Sequence, residues 1–150
     1  MTWPQANDGS AIGTQPRGEL AARVLAMPAD TNPAGTIFGG WIMSLMDAAG
    51  AITAARYAPG RIVTVAVTDM AFLAPVHVGD VVCCYAERTR IGRSSMALHL
   101  EVWVLREGRG ERVKVTAAEF TFVAVGDDGR PTPIPREAHG QETPSALPFA

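Results

Sequence analysis

Apolar and polar positions alternate along most of the second half of the chain. Val63, Val65 and Val67 alternate with Thr64, Ala66 and Thr68, the pattern of a half-buried strand. Further on, Met96, Leu98, Leu100, Val102 and Val104 fall on one face, and His99, Glu101 and Trp103 on the other. With the Gly and Pro punctuation between such runs, the pattern predicts strands over residues 19–27, 62–73, 81–90, 94–106 and 112–125. One stretch breaks the period of two. Residues 37–55 carry a single charge, Asp47, and Pro59-Gly60 stops the run. This predicts a helix over residues 40–57. At about 100° per residue, Trp41, Ile42, Leu45, Met46 and Ile52 lie on one side, and Asp47 lies opposite with Met43, Gly50, Ala51 and Ala54. A helix apolar all round is expected to be buried. An aspartate within it then either has a hydrogen-bonding partner or stands in a cleft that uses its reactivity.

The order is therefore strand, helix, four strands. Long antiparallel strands with one long apolar helix predict an α+β fold, a curved sheet wrapped around that central helix. Residues 19–126 read as one domain, residues 1–18 as a flexible N-terminal tail, and residues 127–150 as a Pro-rich, extended C-terminal tail. One helix cannot cover a five-stranded sheet, and Trp103 remains on the sheet's outer face, so an oligomer is expected.

Composition narrows the function. A net charge of −2 lacks the basic footprint of a nucleic-acid binder. Residues 37–55 approach the length of a membrane span. Asp47 at the middle would cost about 2.5–3.5 kcal/mol on insertion, and no Lys/Arg clusters flank the stretch, so no membrane association is expected. Cys83 and Cys84 are adjacent and in a strand point to opposite faces, which disfavours a bridge between them. They read as small buried hydrophobes of a reducing, cytoplasmic compartment. Neither they nor His77 and His99 show metal-ligand spacing, and no Gly-x-Ser-x-Gly elbow is present.

Four separated segments resemble, in order, the hot-dog-fold acyl-CoA thioesterases, and more narrowly their YciA-like branch. They are Met27-Pro28-Ala29-Asp30-Thr31-Asn32-Pro33-Ala34-Gly35, then Ile37-Phe38-Gly39-Gly40-Trp41-Ile42-Met43-Ser44-Leu45-Met46-Asp47, then Phe72-Leu73-Ala74-Pro75-Val76 with Val78-Gly79-Asp80, and Glu101-Val102-Trp103-Val104. The resemblance implies the hot-dog fold, hydrolysis of acyl-CoA to free acid and CoA, and a homodimer assembled into larger rings, such as a trimer of dimers. It implies no cofactor beyond the coenzyme A of the substrate.

Thioester hydrolysis needs an attacking group, a stabiliser of the developing oxyanion, and a hold on the CoA arm. Asp47 occupies the family's catalytic position, as base or nucleophile; the plain structural alternative is a carboxylate that anchors a neighbouring loop. Gly39 and Gly40 at the helix start are the oxyanion candidates, or merely permit a tight entry turn. Asn32 matches the residue that orients the attacking water, or forms an Asx turn before Pro33. In the family, that Asn and the acid usually come from opposite subunits. Arg90, Gly92, Arg93, Ser94 and Ser95 match the family's Gly-x-Ser-Ser turn and suit CoA phosphates, with a solvated hairpin as the alternative. Arg88 would join Arg90 on one face. A hot-dog dehydratase is disfavoured, since no His lies in residues 32–57. A non-catalytic acyl-CoA-binding oligomer is the remaining alternative.

Overall fold

The computed structural model describes residues 15–110 and 112–140. Strand β1 (Glu19–Leu25) is followed by helix α1 (Gly39–Ala54), then by β2 (Arg61–Phe72), β3 (Val81–Ile91), β4 (Ser95–Leu105) and β5 (Arg112–Val125), with a short helix α2 (Arg136–His139) near the end. The strands form one antiparallel sheet in the order β1-β3-β4-β5-β2. Helix α1 lies across the sheet and meets all five strands. The α+β architecture is the expected one.

The alternation in β3 and β4 divides two cores. Cys84, Leu98, Leu100, Val102 and Phe122 face α1 in the main core, and Cys83, Tyr85 and Trp103 form a small cluster on the opposite face. Both cysteines are free and buried, and apolar surroundings push the Cys84 thiol up to about 12.

Helix α1 is not buried all round, contrary to the sequence reading. The buried residues are Ile42, Met46, Ala49, Gly50, Thr53 and Ala54, whereas Ile52 is 57% exposed. The cause is the bulk of the sheet. A Cβ on Gly50 would lie 2.7 Å from the Phe122 ring and 3.0 Å from Leu100 Cδ1. The sheet's large side chains therefore require the helix's small ones, and close packing turns the small face inward. The far side, with Met43, Ser44, Asp47 and Ala48, is exposed, so a single chain buries only part of a helix that is apolar almost all round.

The half-burial expected of β2 is also absent. Val63, Val65 and Val67 are 39%, 55% and 39% exposed, and Thr64, Ala66 and Thr68 are exposed as well. The strand lies at the sheet's edge, paired only with β5, with two register shifts and Asp69 at φ 57°. Alternation reports the supply of apolar side chains; no surface among the described residues covers them.

The segment after β5 is not wholly extended. Thr132 N–H donates to Ala124 O at 2.8 Å, and Ile134 N–H donates to Arg93 O at 2.7 Å. Ile134 and Ala138 are each 4% exposed within the main core. The boundary expected at 126/127 thus falls inside a packed segment, because two apolar residues among the prolines find the open end of the sheet. The expected tail over residues 1–14, and the C-terminal residues 141–150, lie outside the described residues.

Candidate active site

Helix α1 begins without a side-chain cap, Phe38 standing at the capping position. The amides of Trp41 and Ile42 donate to Phe38 O. Those of Gly39 and Gly40 have no hydrogen-bond partner among the described residues. Two uncapped N–H groups thus stand at the positive end of a sixteen-residue helix, where the helix dipole favours negative charge. The two glycines differ. A Cβ on Gly39 would sit 3.3 Å from the Phe72 ring, a close contact that the ring would have to yield to. A Cβ on Gly40 would meet nothing within 4 Å; the space beside that amide is open to a ligand.

The loop that delivers this helix start is firmly held. Ile37 N–H donates to Val76 O at 2.9 Å and Phe38 N–H to Asp30 O at 3.1 Å. The 75–80 turn is fixed in its own right, since Asp80, 2% exposed, accepts from His77 N–H at 2.9 Å and pairs with Arg106. Arg106 also donates to Pro75 O at 2.9 Å. Asn32 closes the loop on itself: Oδ1 accepts from Thr36 N–H at 3.1 Å, and Nδ2 donates to Thr36 Oγ1 at 2.9 Å. One Nδ2 hydrogen remains for an outside acceptor.

Asp47 is exposed. Its Oδ1 accepts from Thr64 Oγ1 on β2 at 2.5 Å, and its other oxygen makes no hydrogen bond among the described residues. Gly40, Met43 and Asp47 form one stripe of the helix, at i, i+3 and i+7. Seven residues of helix rise about 10 Å, which sets the Gly40 amide and the Asp47 backbone nearly two turns apart along the helix. No hydrogen bond joins Asp47 to Asn32.

The turn between β3 and β4 is a tight hairpin, with Gly92 N–H donating to Ser95 O at 2.7 Å and Ser94 O accepting from Ala124 N–H at 2.8 Å. A Cβ on Gly92 would lie 2.9 Å from Ser95 Oγ, so a larger residue there would push the Ser95 hydroxyl aside. The basic residues do not gather as the sequence suggested. A bulge places Arg88 opposite Leu98 but Arg90 opposite Ala97, so the two fall on opposite faces. Arg88 is spent on structure, donating to Ala138 O at 2.8 Å and lying 4.9 Å over the Tyr57 ring. Arg93 instead lines an open cleft with Arg136 and His139, residues that the tail assignment had set aside. The remaining histidines do not join the helix start: His77 is exposed in its turn, and His99 bonds Glu101 at 2.9 Å.

An uncapped helix start, an aspartate two turns on and a curved antiparallel sheet around them define a class. The chain belongs to the thioesterase superfamily, whose model matches residues 34–111. It is 56% identical over 129 residues to the acyl-CoA thioester hydrolase YciA of Salmonella typhimurium, covering 84% of this chain and 97% of that one. The hexameric thioesterase of Yersinia pestis superposes with a TM-score of 0.77 at 56% identity, over 81% of this chain and 98% of the other. A hexameric hot-dog-fold thioesterase of Campylobacter jejuni gives 0.77 at 42% identity, over 83% and 98%. The fold is the hot-dog fold.

Proposed function

We propose that this protein hydrolyses acyl-CoA thioesters to free acid and CoA. The observation that carries the reading is the pair of unpaired amides at Gly39 and Gly40, with open space at Gly40 and Asp47 on the same stripe. The amides would hold the carbonyl oxygen as it becomes an oxyanion. Asp47 would act as base to a water or as the attacking carboxylate, and Asn32, through its spare Nδ2 hydrogen, would orient the water. With water attacking, the carbon–sulfur bond then breaks and CoA leaves as the thiol with the proton that Asp47 took from the water; with Asp47 attacking, CoA leaves as the thiolate, and water then hydrolyses the acyl–Asp47 anhydride, releasing the acid, regenerating the carboxylate and supplying the thiolate's proton. The turn at Arg93, Ser94 and Ser95 would hold CoA phosphates. This scheme calls for no metal or further cofactor.

The separation of about 10 Å along α1 supports a site made by two copies, the amides of one helix facing the Asp47 of another. The exposed far side of α1 and the uncovered valines of β2 support the same arrangement. The hexameric relatives make a hexamer the natural assembly. Free cysteines and a CoA substrate favour the cytoplasm.

Free thiol should appear when the purified protein meets acyl-CoAs, measured from acetyl to palmitoyl. CoA binding without thiol release would instead indicate a binding module, and hydration of a 2-enoyl thioester a dehydratase.

A further inference from the structure

The cleft beside Arg93 has two walls, and only one belongs to the hairpin turn. It has a volume of about 560 Å³, within the usual range of small-molecule sites. Ile91 and Arg93 come from the β3–β4 turn, and Pro133, Ile134, Arg136 and His139 from the segment after β5. That segment is held by backbone and core contacts: Ile134 N–H donates to Arg93 O at 2.7 Å, Arg88 donates to Ala138 O at 2.8 Å, and Ile134 and Ala138 are buried. Its cations are therefore carried on a fixed frame.

Arg93 and Arg136 form no ion pair with any carboxylate among the described residues. Other guanidinium groups are paired, as Arg17 is with Glu87 and Arg106 with Asp80; Arg93 and Arg136 differ from further unpaired arginines such as Arg61 and Arg90 in lining one cleft together. Two unpaired guanidinium groups, the His139 imidazole and apolar surface from Ile91 and Pro133 line this one cleft, a set that matches a nucleotide: phosphate oxygens for the forks and a base for the apolar surface.

We propose that residues 133–139 form the second wall of the site for the nucleotide end of CoA, with Arg136 joining Arg93 on its phosphates. The placement suits the site at α1. Thr64, which bonds Asp47, pairs with Phe122, which pairs in turn with Met96. From there to Arg93 is two strand spacings across and three residues along, about 14 Å in all. A long, extended CoA arm can span such a gap. The inference rests on the acyl-CoA reading above.

The test compares Arg136→Ala and Arg136→Lys with wild type on butyryl-CoA, butyryl-dephospho-CoA and butyryl-pantetheine, which lacks the nucleotide. Arg136→Ala should raise KM for butyryl-CoA by about tenfold with a much smaller change in kcat, because a phosphate contact acts equally in ground and transition states. The loss should shrink at high salt, and Arg136→Lys should recover part of it. The loss on butyryl-CoA should exceed that on butyryl-pantetheine by about the same factor. If dephospho-CoA shares the full loss, Arg136 holds the diphosphate; if it shows none, Arg136 holds the 3′-phosphate. Either result supports the proposal. Equal losses on CoA and pantetheine esters would make Arg136 a structural residue and overturn it, as would no loss on any substrate. Calorimetric titration of CoA into wild type and Arg136→Ala reads the cleft independently. Should wild type release no thiol, the hydrolase reading falls, while weakened CoA binding by the variant would still establish the cleft.

Discussion

Asp47→Asn should lower kcat for acyl-CoA hydrolysis by about 10²–10⁴, the range lost with a general base. Asparagine keeps the size of aspartate and can still accept from Thr64 Oγ1, the one side-chain hydrogen bond that Asp47 makes among the described residues. It cannot take a proton or attack a carbonyl, so the substitution separates chemistry from structure. Asp47 is exposed in the single chain, and the melting temperature should stay near that of wild type, as should the affinity for CoA. A carboxylate that serves only to anchor β2 to α1 predicts kcat almost intact in Asp47→Asn, with the melting temperature falling only where the acceptor itself is removed, as in Asp47→Ala. Asn32→Ala should cost less than Asp47→Asn, because orienting water is only part of the barrier.

Glu101→Gln should destabilise the fold by about 3 kcal/mol at neutral pH. Glu101 is 2% exposed on the outer face of the sheet. Burial by itself would raise its pKa. The opposing influences win: hydrogen bonds from His99 at 2.9 Å, Trp103 Nε1 at 2.8 Å and the Arg17 amide at 3.2 Å, with Lys114 Nζ at 3.2 Å. Together they hold the carboxyl down at about 2, against 4.5 for a free glutamate. The folded pKa is depressed, so the stability it contributes is fully present above the unfolded value near 4.5 and disappears as pH falls through about 2. The gap in stability between wild type and Glu101→Gln, read by chemical denaturation at a series of pH values, should be constant at neutral pH and close below about pH 4.5. A gap that persists unchanged at pH 3 would mean that the charge of Glu101 does not matter to folding. The network faces away from α1, so kcat should change little.

The sequence announced the order of the elements because the chain's own patterning sets them. Period-two runs ended at Gly and Pro, and the boundaries of β5 matched residue for residue. Adjacent Cys83 and Cys84 could be assigned to opposite faces on strand geometry alone. Asp47 was conspicuous as the single charge in a long apolar run, and the glycine pair before it marked the helix start. What stayed hidden depended on neighbours distant in sequence. The small residues of α1 turn inward only because Phe122 and Leu100 occupy the space opposite Gly50. The bulge in β3 that sends Arg88 and Arg90 to opposite faces leaves no local mark in the run Glu87-Arg88-Thr89-Arg90. Ile134 and Ala138 sat in a proline-rich stretch that reads as extended, yet both are anchored in the core, and Arg136 was set aside with them. The valines of β2 alternated as predicted, but no surface among the described residues covers them.

That missing surface leads to the central claim, an active site shared between two copies. The most direct measurement mixes purified Asn32→Ala with Asp47→Asn and follows thiol release from an acyl-CoA as subunits exchange. In a hybrid pair, one site holds both Asn32 and Asp47 and the other holds neither. Random exchange makes half the pairs hybrids, so activity should rise to about a quarter of the wild-type rate, above the sum of the separate variants. No rise, with exchange demonstrated by mass spectrometry, would contradict the account and place both residues within one subunit or outside the mechanism.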